Sequence, residues 1–331
     1  MKSLKEIIID VLKDKNGIAS LKEIYKGIDE SDYKSQSNTV HDSARTVIYR
    51  NEKIFKRVCK GVYMLKGEKT SSLLIHGDGR KMEEIEDGSI DCIITDHPWE
   101  DKKAHKSGNQ KNFADYQTFR YEIEDFKEKA RILKPGAYLI EFLPIESATN
   151  WEYLYEIKQM AKKCGLRYYT HAIWRNAPEG TINTGKTTKG VQQIMIFSKG
   201  KPRKLSKPGI NAYQSKSILT YEIEMLLKSK DKHHQAEKPV ELYEYLINQF
   251  TEEGDILVDS FGGSCNMLKA AVNTHRYSIV YEVVKEFIDK VVERFKMTKL
   301  YVHEETTPTP KSPNVNPIFY TTDDNGQLSF S

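Results

Sequence analysis

Cysteine is scarce in this 331-residue chain: Cys59, Cys92, Cys164 and Cys265 stand apart, with no Cys-x-x-Cys pair. That spacing indicates neither a zinc site nor a disulfide framework, and a reducing compartment is the default. His76, His105 and His233 have no cysteine or paired carboxylate at ligand spacing, so no metal is expected. No apolar run reaches the roughly 20 residues of a membrane helix. No charged leader precedes an apolar core either, and a cytoplasmic protein is expected. Acidic residues are missing in one place: from Gly180 to Tyr221 there is no Asp or Glu. The net charge of +4 is too small to imply a polyanionic partner by itself, but this stretch concentrates Lys186, Lys189, Lys201, Arg203, Lys204 and Lys207. These are the expected phosphate contacts, with a solvated basic loop as the alternative.

The ends of the chain differ from its middle. Ser3-Leu4-Lys5-Glu6 and Ser20-Leu21-Lys22-Glu23 are capping boxes, each opening an amphipathic run. A third helix is expected from about Ser37 to Arg50, then two short strands around 55–58 and 62–65 that turn at Lys60-Gly61. Three helices and a hairpin predict a small winged helix-turn-helix domain over residues 1–67. Its third helix carries only Arg45 and Arg50, so protein interaction stays open beside DNA binding. A polar linker reaches Ser71. Residues 299–331, rich in Pro, Thr, Asn and Asp, read as a loosely held tail.

Between these ends lie the chemistry-bearing motifs. The apolar run Ile90–Thr95 reads as a buried strand and ends in Asp96-His97-Pro98-Trp99, an acid, a rigid turn and a large aromatic. Such a set can grip a flat, amine-bearing ring, although a strand followed by a proline turn is also ordinary. Downstream, Ile256–Asp259 leads into Ser260-Phe261-Gly262-Gly263-Ser264-Cys265-Asn266 and a helix. Glycines there let a ligand approach the backbone, and a helix start offers free N–H donors. The next strand ends at Glu282, about 20 residues on, the spacing at which a carboxylate meets a ribose in a doubly wound fold.

The acid-x-Pro-aromatic tetrapeptide, the Asp-x-Phe-x-Gly turn and His234-Gln235-Ala236-Glu237-Lys238-Pro239-Val240-Glu241-Leu242 between them resemble, in identity and order, the amino-methylating DNA methyltransferases that use S-adenosylmethionine. The catalytic motif precedes the cofactor motif, as in the beta class. The resemblance implies a circularly permuted Rossmann-like α/β fold over residues 71–298, with a seven-stranded, mostly parallel, doubly wound sheet. Leu74-Ile75-His76-Gly77-Asp78 matches the start of that catalytic domain. The Phe-x-Arg-Val-x-x-Gly-Val-Tyr-x-Leu run from Phe55 resembles the HARE-type winged helix found fused to restriction and modification enzymes.

What the resemblance implies is specific. Asp96 and the carbonyl of His97 would accept the amine hydrogens of a flipped base, Pro98 would hold the turn and Trp99 would stack. Asp259, Phe261, Gly262 and Gly263 would line the cofactor, Glu282 would take its ribose, Asp78 would lie near its adenine, and Lys238 and Pro239 would close the methionine side. A short target-recognition segment is expected near 199–232. The leading Asp favours adenine N6 in duplex DNA. RNA adenine N6, cytosine N4 and a catalytically degenerate DNA-binding protein remain alternatives. A homodimer and a cognate restriction enzyme are both compatible. No cysteine follows a proline, which sets aside cytosine C5 chemistry. The chain departs from the family pattern at His97, Ser260, Cys265 and Asn266. If the place of Cys265 needs a positive φ, the side chain costs about 1 kcal/mol relative to glycine.

Overall fold

The computed structural model describes residues 2–15, 17–33, 39–66, 72–99, 118–175, 191–206, 220–224, 237–294, 300–304, 318–322 and 328–330. The N-terminal unit holds α1 (Leu4–Asp14), β1 (Ile18–Ser20), α2 (Leu21–Asp29), α3 (Val40–Arg50), β2 (Phe55–Cys59) and β3 (Val62–Leu65). Both expected capping boxes form: Glu6 N–H donates to Ser3 Oγ at 3.3 Å and Ser3 N–H to Glu6 Oε2 at 2.7 Å, and Ser20 and Glu23 repeat the pattern. The strands form an antiparallel sheet in the order β1-β3-β2. Ile8, Leu12, Ile24, Ile48 and Phe55 make a core of their own.

The hairpin also faces the rest of the chain. Val58, Val62 and Met64 join one buried cluster with Met82, Ile85 and Tyr277. Lys56 Nζ donates to Gly254 O at 2.8 Å, and Lys60 N–H donates to Glu84 O at 2.6 Å.

Seven strands make the centre of the main sheet: in spatial order β4 (Ser72–His76), β11 (Tyr277–Glu282), β10 (Ile256–Asp259), β5 (Ile90–Thr95), β6 (Leu133–Pro144), β8 (Val191–Lys199) and β7 (Leu166–Arg175). Only β8 runs against its neighbours. Because β5, β10 and β11 are covered on both faces, every residue in them is buried and their apolar residues run on rather than alternating, with acids near the strand ends. One face packs on α4 (Ile123–Ile132) and α5 (Trp151–Lys163); the other packs on α6 (Val240–Phe250), α7 (Asn266–Asn273) and α8 (Lys285–Arg294). This is the expected doubly wound, mostly parallel sheet.

The sheet continues beyond those seven strands. β9 (Thr220–Glu224) runs parallel to β7 at one edge. At the other edge β12 (Leu300–Glu304) runs parallel to β4, followed by β13 (Ile318–Thr322) and β14 (Leu328–Phe330). Residues read from the sequence as a loose tail therefore include three strands. Loss of apolar periodicity hid them, because an edge strand is held by main-chain pairing as much as by its side chains.

Candidate active site

Parallel strands deliver their C-terminal ends to one crest, and the acids that close β5, β10 and β11 meet there. β5 and β10 are direct neighbours, with Ile93 opposite Val258. Just beyond that register Thr95 Oγ donates to Asp259 Oδ1 at 2.8 Å, and the Phe261 N–H donates to the same oxygen at 3.0 Å. Asp259 Oδ2 is buried and has no hydrogen-bond partner among the described residues. Burial pushes the Asp259 carboxyl up to about 7; the Asp96 charge adds to this, while the Phe261 N–H, Thr95 hydroxyl and Lys238 ammonium oppose it. Asp96 is arranged in the same way: Oδ2 meets Lys238 Nζ, and Oδ1 is buried without a partner among the described residues.

The glycine turn is built for close approach. A β-carbon on Gly262 would stand 2.5 Å from Val280 Cγ1, so no side chain fits there. Gly263 has a φ of 51°, and its N–H donates to Glu282 Oε2 at 2.7 Å, while the Val284 N–H donates to Oε1 at 2.8 Å. Glu282 thus clamps the turn as well as closing β11, and burial raises its carboxyl. Gly77 N–H donates to Glu282 O at 3.1 Å, which brings Asp78 to the same edge. Asp78 Oδ1 accepts the Arg80 N–H at 3.0 Å. Gly79, not singled out by the sequence reading, is equally constrained: a β-carbon there would lie 2.0 Å from Ser260 O. Cys265 does adopt a left-handed conformation, φ 53° and ψ 28°, as a non-glycine N-cap of α7. Its thiol is buried and pushed well above its usual range by burial.

A family model described as DNA methylase, N6_N4_Mtase, matches residues 90–293, more than half of the chain and including both motifs. The chain belongs to this family. Its chemistry is S-adenosylmethionine-dependent methyl transfer. The methylase is 26% identical over 278 residues to the type II methyltransferase M.MjaI of Methanocaldococcus jannaschii, covering 68% of this chain and 91% of the relative. It is 25% identical over 231 residues to the type II methyltransferase M.HpaI of Haemophilus parainfluenzae, covering 65% and 71%. Among solved structures, the cytosine-N4-specific PvuII DNA methyltransferase aligns at TM-score 0.50 and 21% identity, covering 69% of this chain and 87% of that one. The M1.HpyAVI–SAM complex aligns at 0.47 and 21%, covering 67% and 98%.

In the methylase, the residue that breaks the usual Asp-Pro-Pro pattern is part of a buried aromatic cluster. The His97 ring lies 3.8 Å from the Tyr121 ring, and its Nε2 is 2.9 Å from the Tyr153 hydroxyl, which also accepts the Tyr121 N–H. Burial first, then the charges of Lys129 and Arg80, push the imidazole well below its usual range, so it is neutral. The His97 carbonyl accepts the Trp99 N–H at 2.8 Å, keeping a second lone pair for another donor. Behind this cluster the Tyr121 hydroxyl donates to Glu141 at 2.9 Å, and Lys129 Nζ reaches Glu141 at 2.5 Å and Tyr121 at 2.6 Å. The Lys129 ammonium also stands 5.8 Å from the Phe261 ring, so the network underlies both motifs. Of these residues only Glu141 carried a usable sequence signal: one carboxylate inside the apolar run Tyr138–Leu143 must find a partner.

Of the basic stretch, the described residues Lys201, Arg203 and Lys204 lie away from the crest. Arg203 Nη1 lies 3.3 Å from Asp91 Oδ1 and its Nη2 meets Asp255, while its N–H donates to Gly136 O at 3.0 Å. Asp91 and Asp255 stand at the opposite, N-terminal ends of β5 and β10. Arg203, expected to contact phosphate, is instead an internal tie between strand starts, and exposed Lys201 and Lys204 flank it there. Lys186, Lys189 and Lys207 lie outside the described residues. Pro239 is the N-cap residue of α6, directly after Lys238.

Proposed function

We propose that this methylase transfers a methyl group from S-adenosylmethionine to the N6 amine of adenine in DNA. The single observation that carries the reading is Asp96 with one oxygen held and the other buried and open, beside Asp259 on the adjacent strand. An exocyclic amine is a poor nucleophile while its lone pair is delocalised into the ring. Asp96 Oδ1 and the free lone pair of the His97 carbonyl accept its hydrogens and draw the nitrogen toward tetrahedral, and the carboxylate stabilises the positive charge that develops. Trp99, half-buried at the end of the loop, stacks on a base that has left the duplex. When bound, S-adenosylmethionine supplies an already activated methyl, so positioning does most of the work.

Asp259, Phe261, Gly262, Gly263 and Glu282 are the residues that would hold the cofactor, with Asp78 at its adenine and Pro239 beside its methionine portion. The fit is supported by the open, buried Asp259 Oδ2 and by a glycine turn with no room for side chains. Adenine is favoured by the leading Asp; relatives acting on cytosine N4 more often carry Ser or Thr. The N-terminal unit is read as a winged helix that binds DNA. Transfer of tritiated methyl to duplex DNA, single-stranded DNA and RNA tests the substrate class. Label in DNA that is lost in Asp96→Ala is the expected result, and label in RNA alone overturns it.

A further inference from the structure

The resemblance would make Lys238 a cofactor clamp, but its side chain is only 2% exposed and its ammonium meets Asp96 Oδ2. The Phe142 ring lies 4.9 Å and the Trp174 ring 6.0 Å from Nζ, so aromatic walls enclose it. A carboxylate with both oxygens open can swing about its last torsion. One whose Oδ2 is pinned by a buried ammonium presents Oδ1 in a fixed direction, and Oδ1 is the atom left without a partner.

The backbone of Lys238 is itself fixed. Asn266 Nδ2 donates to Lys238 O at 2.6 Å and to Glu237 Oε1 at 2.9 Å, and Glu237 pairs with Arg294 at 2.7 Å. Asn266 is 2% exposed and opens α7 immediately after the glycine turn, at a place where the family pattern has Thr. A threonine hydroxyl has one donor, whereas the amide supplies the two donors used here.

We propose that Lys238 is a positioning residue for Asp96 rather than a ligand of the cofactor, and that Asn266 anchors it. The pair Lys238–Asp96 fixes one acceptor oxygen for the amine of the base, and the chain Arg294–Glu237–Asn266–Lys238 ties that acceptor to the start of the cofactor helix. The assignment rests on the methyl-transfer reading above.

The test separates cofactor affinity from turnover. S-adenosylmethionine affinity of Lys238→Met, Lys238→Arg and Asn266→Ala is measured by calorimetry, and kcat by methyl transfer to unmethylated genomic DNA at saturating cofactor. Lys238→Met is expected to lower kcat about 100-fold while Kd stays within about threefold. Lys238→Arg is expected to recover at least about tenfold of that loss, since the charge remains. Asn266→Ala is expected to lower kcat about tenfold by loosening the same lysine, and serves if Lys238→Met does not fold. A weakened Kd with kcat unchanged at saturation overturns the proposal and returns Lys238 to the cofactor. An unchanged kcat in both Lys238→Met and Asn266→Ala overturns it as well. If the unmodified protein binds no S-adenosylmethionine, the functional reading fails instead.

Discussion

The hydroxyl of Thr95, the last residue of β5, donates to Asp259, the last residue of the neighbouring β10, across 2.8 Å. This bond locks the ends of β5 and β10 in register at the point where Asp96 and the glycine turn leave the sheet. Thr95→Val keeps the shape of the side chain and removes the donor. It is expected to weaken S-adenosylmethionine binding about 5- to 10-fold, corresponding to about 1 kcal/mol. Calorimetric titration at pH 7 checks this.

Asp259 also sets a pH dependence. Its carboxyl is raised from 3.8 to about 7, chiefly by burial. A raised acid favours the folded state while it is protonated, and that contribution is complete below about pH 4. As pH rises from about 4 to 7 the unfolded chain releases this proton first, so the contribution is lost across that window. Asp259→Asn has no such proton. Urea denaturation at pH 5 and pH 7 is expected to show Asp259→Asn gaining stability relative to the unmodified protein as pH rises.

The Lys129–Glu141 pair beneath both motifs is wholly buried, with side-chain exposures of 2% and 0%. Burial lowers the lysine and raises the glutamate, so each charge depends on the other. Lys129→Met alone is expected to cost about 3–5 kcal/mol, because it strands a buried carboxylate. The double variant Lys129→Met/Glu141→Leu is expected to recover most of that loss in chemical denaturation.

Arg203 gives a contrasting outcome. Tied to Asp91 and Asp255 at the far ends of the strands, it is expected to act on stability rather than on nucleic-acid binding. Arg203→Ala should lose about 2–3 kcal/mol in urea denaturation. The salt slope of DNA binding should be unchanged within error, whereas each phosphate contact removed would flatten it by roughly one unit.

These residues show where sequence reasoning reached and where it stopped. Asp96, Asp259 and Glu282 were legible because a buried parallel strand must be apolar, so an acid at its end marks the crest. At Cys265 the sequence shows a departure within a glycine turn but not the φ, which the structure has at 53°. Arg203 was misread because a run of basic residues does not reveal that two strand-start acids will claim one of them. The three-residue strand β1 is too short for any periodicity, and the strands of residues 300–330 lie in a stretch with little apolar pattern. His97 could be seen as a departure, but its neutral state comes from burial, in contact with Tyr121 and Tyr153, and then from the charges of Lys129 and Arg80, which only the fold assembles. The resemblance places Lys238 at the cofactor, and its contact with Asp96, 142 residues away in sequence, is made only once the chain is folded.

The most direct test of the central claim is the identity of the modified nucleoside. Unmethylated duplex DNA is incubated with S-adenosylmethionine and the protein or its Asp96→Ala variant, digested, and analysed by mass spectrometry. N6-methyladenine with the unmodified protein, and none with a variant that still binds the cofactor, is the outcome this account expects. N4-methylcytosine in place of N6-methyladenine, or turnover that survives Asp96→Ala, would contradict it.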